Sequence, residues 1–424
     1  MTLLAISFIS MLLLGFPFMV VLLGSILLFM VVHMPGFDMT LVVQQVITGM
    51  IPPALVCVPM FILAASIMTS GQAANKLINL VKAFVGHLPG GLPIAATGAC
   101  TVFGAVSGST QATVAAIGGT MRPMLLKAGY PSKFTLGLII NASDIAFLIP
   151  PSIGFIVYGV VTGTSIGSLF LAGVLPGIMI FLMFSLYCIV YSKIKGLGSL
   201  PKASWQERGT AIKEGALVLG FPIIVVGGIY GGIFTPTEAA AVSVAHALFL
   251  EGVFYKTLSW SSLKENFFST GIVTGAVFIL VGGGQALSWI LCFLRIPQQF
   301  LPSLFGTDPS QIQVFAVIVG AYFVACMFVD PIVAVYVLTP ILAPYVISTG
   351  INPVHLGIIV TLQCAVGSAS PPFGCDIFTA QLIFRRPYLE VIGHTYPFLI
   401  ILMLATVLLI AFPQISLFLP GLAH

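Results

Sequence analysis

Two proline pairs set inside apolar segments carry most of the chemistry this sequence can offer. Residues 141–154 read Asn-Ala-Ser-Asp-Ile-Ala-Phe-Leu-Ile-Pro-Pro-Ser-Ile-Gly, and residues 367–374, about 220 positions later, read Gly-Ser-Ala-Ser-Pro-Pro-Phe-Gly. Proline has no amide hydrogen and its ring clashes with the preceding turn, so each pair breaks a helix and frees carbonyls just upstream. A cation stripped of water needs several oxygen ligands at once. Freed carbonyls and nearby hydroxyls supply them without burying a charge. The candidate ligands are Ser107 and Thr110 with the carbonyls of Ala146, Ile149 and Pro151, and in the second half Gly367, Ser370 and Phe373. One such motif alone is equally explained by hydroxyls bonding within their own helices and glycines packing closely. Its recurrence at matching places in two halves favours a paired ion site of a secondary transporter.

Three carboxylates, Asp144, Asp330 and Asp376, fall in apolar segments, where a charge costs roughly 2.5–3.5 kcal/mol on insertion scales and so has a partner or a role. Asp330 precedes Pro331 and suits a helix cap as well as a site. Asp144 lies in the first break itself, where it can bind a coupling ion, pair with a base or tune substrate choice. For Asp376 the nearest base along the chain is Arg385. Half-helix starts at Ser152, at Ser370 with Pro371 and at Asp330 with Pro331 would attract an anionic substrate. Ser109, Asn141, Asp144 and Asp330 are the substrate-side candidates. No basic residue falls near the expected midplane, so a buried arginine clamp is not indicated.

The elements that hold these groups must lie in a membrane. The chain has 424 residues, 59% hydrophobic and only 6% charged, with a mean hydropathy of +1.16. A soluble surface needs about a quarter charged residues, so this is a polytopic all-α membrane protein of about ten spans without a soluble domain. The net charge of +4 follows from lysines and arginines in cytoplasmic loops and implies no nucleic-acid partner. The seven cysteines lack CxxC spacing, which argues against a disulfide framework or a zinc site.

Residues 1–89 read as scaffold, beginning with an apolar run over 2–32 that is long enough for one tilted or kinked span, marginal for two, and read as one retained span, and including an interfacial helix over 37–50 and a surface arm over 71–88. Residues 90–192 form a first transport repeat, a re-entrant hairpin entered from inside with small polar residues at its tip, then a broken helix. Residues 193–310 give a cytoplasmic loop and further scaffold, with Pro236 and Glu238 at one helix start. Residues 311–424 repeat hairpin and broken helix, the hairpin now entered from outside and broken at Asp330-Pro331, before a last span over 387–412. Of the 15 lysines and arginines, only Arg295 then lies outside, as the positive-inside rule requires. The two halves are therefore inverted repeats able to give alternating access.

An enzyme reading is weaker. Ser107 with His246 as a distant base suggests an intramembrane serine hydrolase, but such a dyad needs the side chains within hydrogen-bond reach. No Gly-Lys dipeptide occurs, which removes a Walker A route to ATP hydrolysis.

The stretch Gly-Gly-Ile-Phe-Thr-Pro-Thr-Glu-Ala-Ala-Ala (231–241), the Ser-Gly-Ser-Thr tip (107–110), Ile-Pro-Pro-Ser-Ile (149–153) and Ser-Pro-Pro-Phe-Gly (370–374) together resemble the large membrane subunit of tripartite ATP-independent periplasmic (TRAP) transporters, along essentially the whole chain. The resemblance implies a sodium-driven, elevator-type importer in the bacterial inner membrane. It implies two partners, a small membrane subunit and a periplasmic binding protein that delivers an organic anion, a carboxylate or sulfonate. It places two Na+ sites on the same hydroxyls and carbonyls named above. The sequence departs from the family pattern at Asp144, where a small or apolar residue is expected, at Gly154, where proline is frequent, and at Ser370, which replaces threonine. A self-sufficient sodium/anion symporter that needs no binding protein is the alternative.

Overall fold

Inside a bilayer no water satisfies the backbone, so an apolar chain of this kind folds into helices whose hydrogen bonds are internal. The computed structural model describes residues 2–306 and 310–422, and among them every regular element is helical. Among the described residues six helices are long and apolar enough to cross a membrane: Pro53–Ser70, Ile166–Ile194, Trp205–Tyr230, Pro236–Phe254, Trp260–Phe293 and Pro331–Ser348. Tyr396–Ala411 and Gln414–Leu422, bent by 59° at their junction, make a seventh if taken together. Fewer continuous spans than the expected ten result because the apolar sequence at the breaks is divided into helices of 10–17 residues.

The first hairpin is Gly91–Ser107 and Thr110–Lys127, joined by Gly108 and Ser109. Gly108 takes φ +59°, a left-handed conformation that costs glycine little. The first broken helix is Ser132–Ser143, a 3-10 turn Asp144–Phe147, and Ile153–Thr162. Ser152 caps its outgoing half by accepting from the Phe155 amide. The second half repeats the order: Gln311–Cys326 and Pro331–Ser348, then Pro353–Ser368 and Cys375–Phe384. The Pro150–Pro151 and Pro371–Pro372 peptide bonds are both cis.

The start of the chain differs from the single kinked span expected. Gly15 at φ +76° and Pro17 divide it into two helices, Thr2–Leu13 and Phe18–His33, and Gly24 of the second faces the Met11 side chain of the first. The hairpin packs through Leu22 and Ile26 onto Ala286 and Leu287 of Trp260–Phe293. Thr40–Met50 lies along that same long helix, with the Cβ position of Gly49 2.6 Å from the Cβ of Gln285. The arm is Ala73–Val85, amphipathic as expected, and Lys76 pairs with Glu214 across 2.8 Å.

Candidate functional site

The hairpin tips rest on the helix breaks. A Cβ on Gly104 would stand 2.6 Å from the Ala146 Cα, and one on Gly108 2.5 Å from the Pro151 carbonyl oxygen, so glycine is what lets the first tip reach its break. The Ile153 amide donates to the Gly108 carbonyl across 3.4 Å. Ser107, Thr110, Ala146 and Pro151 are thus brought into one neighbourhood, with Ser107 and Thr110 both buried. Ile149 also sits in the break, its side chain against Gly177 of Ile166–Ile194. In the second half a Cβ on Gly367 would lie 2.6 Å from the Cβ of Cys326, at the end of the second hairpin's first helix. The Ser370 hydroxyl donates to the Val366 carbonyl at 2.6 Å, and Phe373 is exposed beside Phe328.

The three carboxylates sort differently from their spacing along the chain. Asp376 does not meet Arg385; its Oδ1 accepts from the Thr110 hydroxyl at 2.7 Å and its Oδ2 from Ser368 at 2.6 Å. Asp144 is buried in the first break, and neither of its oxygens accepts a hydrogen bond from a described residue. Asp330 caps Pro331–Ser348 by accepting from the Ile332 amide at 2.9 Å. Glu238 forms a capping box with Thr235 at an exposed helix start.

A cavity of about 630 Å³ opens between the first hairpin and the helices Pro53–Ser70 and Trp260–Phe293. Its polar wall includes Ser107, Ser109, Gln111, Ser66, Ser70 and Asn266, and its only ionisable side chain among the described residues is Asp330. Ser66 donates to Asn266 and Asn266 to Ser70, each at 2.9 Å, which fixes the amide between Pro53–Ser70 and Trp260–Phe293. Of the expected substrate-side residues, Ser109 and Asp330 line this cavity, whereas Asn141 and Asp144 are buried beyond its lining. Sequence reasoning missed Gln111, Asn266, Ser66 and Ser70, because isolated polar residues in apolar helices carry no spacing signal.

Ser107 and His246 do not form a dyad. The serine hydroxyl pairs with Thr113 at 3.0 Å, and His246 Nε2 pairs with the Leu217 carbonyl at 2.9 Å.

This helical fold is shared with a membrane transporter of known structure, YdaH of Alcanivorax borkumensis, at a TM-score of 0.59 and 16% identity over 88% of this chain and 87% of that one. Residues 5–415 match the family described as tripartite ATP-independent periplasmic transporter, DctM component, and the chain belongs to that family. It is 54% identical to the ectoine TRAP transporter large permease protein TeaC of Halomonas elongata, over 100% of this chain and 99% of the relative. It is 52% identical to the ectoine/5-hydroxyectoine permease UehC of Ruegeria pomeroyi, over 99% and 98%. Identity to the C4-dicarboxylate permease DctM of Pseudomonas aeruginosa is 34%, over 87% and 86%. The protein is thus an integral membrane permease and not an enzyme.

Proposed function

We propose that this chain is the large permease of a sodium-coupled importer for a small zwitterionic carboxylate of the ectoine type. A periplasmic binding protein delivers the solute, and a small membrane subunit completes the complex. The observation that carries this reading is the cavity whose one ionisable lining group among the described residues is the Asp330 carboxylate. A dicarboxylate entering it would meet a like charge and no base, which costs affinity. Ectoine joins a delocalised amidinium to a carboxylate. Asp330 complements the first, while the Ser109 hydroxyl and the amino-terminal end of Thr110–Lys127 complement the second. The similarity to two ectoine permeases supports the same class.

In this reading two sodium ions occupy the tip-and-break sites, one at Ser107, Thr110, Ala146, Ile149 and Pro151 and the other at Gly367, Ser370 and Phe373. Binding them costs the protein no new buried charge, because carbonyl dipoles and hydroxyls do the coordinating. Both hairpins and broken helices then move as one body against the scaffold, carrying the solute between the two sides of the bilayer.

The test is uptake into proteoliposomes holding the whole membrane complex, supplied with its binding protein, with and without an inward sodium gradient. Ectoine uptake that needs the gradient and the binding protein, and exceeds succinate uptake, is expected. Equal uptake without the gradient removes the sodium coupling, and preferred succinate removes the zwitterion. Full uptake without the binding protein supports the self-sufficient symporter instead.

A further inference from the structure

We infer that the end of helix Cys375–Phe384 holds the headgroup of an anionic phospholipid of the cytoplasmic leaflet, with Arg385 and Arg386 on its phosphate and Phe378 and Leu382 along its acyl chains. These four residues and Gln381 line an open cavity of about 630 Å³. The helix has two faces: Ile377 and Ala380 are buried in a cluster with Val114 and Ile139, while Phe378 and Leu382 are exposed, Leu382 by 79%. Phe378, Leu382 and Arg385 follow at i, i+4 and i+7, so two apolar turns end in a guanidinium on the same face. Arg385 closes the helix at φ +48°. The turn lets its neighbour Arg386 line the same cavity, where a continuing helix would send consecutive side chains to different faces.

No carboxylate lines this cavity among the described residues. Glu390 comes within 4.0 Å of Arg386, beyond hydrogen-bond reach, and its other oxygen accepts from the Ser132 hydroxyl at 2.5 Å. Neither guanidinium therefore donates a hydrogen bond to a described residue, and such forked donors suit phosphate, which they can grip in two places. Arg122 donates to Ser132 at 2.9 Å and Lys133 packs against Gly393, so these bases gather at the same end as Arg385 and Arg386. By the positive-inside rule this end faces the cytoplasm, where anionic lipids give the leaflet a negative surface potential. A free phosphate would engage the arginines alone, whereas a lipid also covers the exposed apolar face. Bound there, it anchors the outer end of the helix whose first turn carries Asp376, the acceptor of the Thr110 hydroxyl. The site is separate from the solute cavity and stands whether or not sodium drives transport.

The whole membrane complex in detergent is titrated with short-chain phosphatidylglycerol, short-chain phosphatidylcholine or inorganic phosphate, while amide exchange over residues 375–386 is followed. This local readout is blind to lipid bound at other basic surfaces. Phosphatidylglycerol is expected to slow exchange there at concentrations where the other two do not. In Arg385→Gln/Arg386→Gln the phosphatidylglycerol concentration for half-protection is expected to rise by roughly tenfold or more. The unfolding midpoint of that variant in lipid-free detergent should stay at the wild-type value, because both side chains are exposed. Leu382→Ser, which leaves both charges in place, should raise the half-protection concentration as well. Equal protection by phosphatidylcholine, full protection by inorganic phosphate, no protection by any of the three, or a titration that the double variant leaves unshifted overturns the site.

Discussion

The Thr110 hydroxyl donates to Asp376 Oδ1 across 2.7 Å, joining residues 266 positions apart in the chain. This bond links the tip of the first hairpin to the second broken helix, so the two halves share a buried polar centre in addition to repeating one another. Hydrogen bonds to a buried charged group contribute about 1.5–3 kcal/mol. Thr110→Val, which keeps the shape and removes the donor, is expected to cost that much stability. Thr110→Ser should keep most of it. Equal unfolding midpoints for the valine and serine variants would count against the bond as a structural link.

Gly108, like Gly104, is a point at which the first hairpin touches its break. An added methyl would meet the Pro151 carbonyl oxygen at 2.5 Å in a backbone at φ +59°. A non-glycine residue in that region costs of order 1–3 kcal/mol before the clash is counted. Gly108→Ala should therefore lift the tip off the break and abolish driven uptake while the protein still inserts. Wild-type uptake at equal expression would show that the contact is dispensable.

What the sequence made legible is what local chemistry determines. The Pro-Pro pairs, the Ser-Gly-Ser-Thr tip and Asp330-Pro331 announce helix ends through missing amides, permissive backbone and capping side chains, and the helices end there. The division at Gly15 and Pro17 was visible as a kink but not as a full reversal, because an apolar run of that length serves either one span or two short helices. The partners of Asp376 and the polar wall around Asn266 were not legible. They depend on contacts 266 and about 200 residues apart, and a lone aspartate or asparagine in an apolar helix looks alike whether it is bonded or free.

Glu251 is a case that no spacing rule would find. It lies fully buried in the helical turn Phe249–Phe254, and its carboxylate accepts from the amides of Gln72 at 3.0 Å and Ala73 at 2.9 Å, with Thr257 as a further donor. A negative charge there satisfies free amides at the start of the arm helix and complements its dipole. Glu251→Ala is expected to destabilise the arm by about 1–3 kcal/mol. Amide exchange over residues 73–85 should accelerate while the exchange of the hairpins stays as it was. Unchanged protection of the arm would mean that the Lys76–Glu214 pair and apolar packing hold it unaided.

Asp330 combines a cap and a cavity wall, and the two roles can be separated. Its Oδ1 accepts from the Ile332 amide at 2.9 Å, a bond that asparagine can also make. Asp330→Asn should therefore leave the hairpin folded, with stability changed by under about 1 kcal/mol, while removing the one ionisable group among the described residues of the cavity wall. Ectoine uptake is expected to fall by roughly tenfold or more, the loss of one charge-assisted contact, while the remaining uptake still needs the sodium gradient. Relative uptake of succinate should rise, because the repulsion against a dicarboxylate is gone. If ectoine uptake survives unchanged in a folded Asp330→Asn protein, Asp330 is only a cap, and the amidinium is held elsewhere in the cavity.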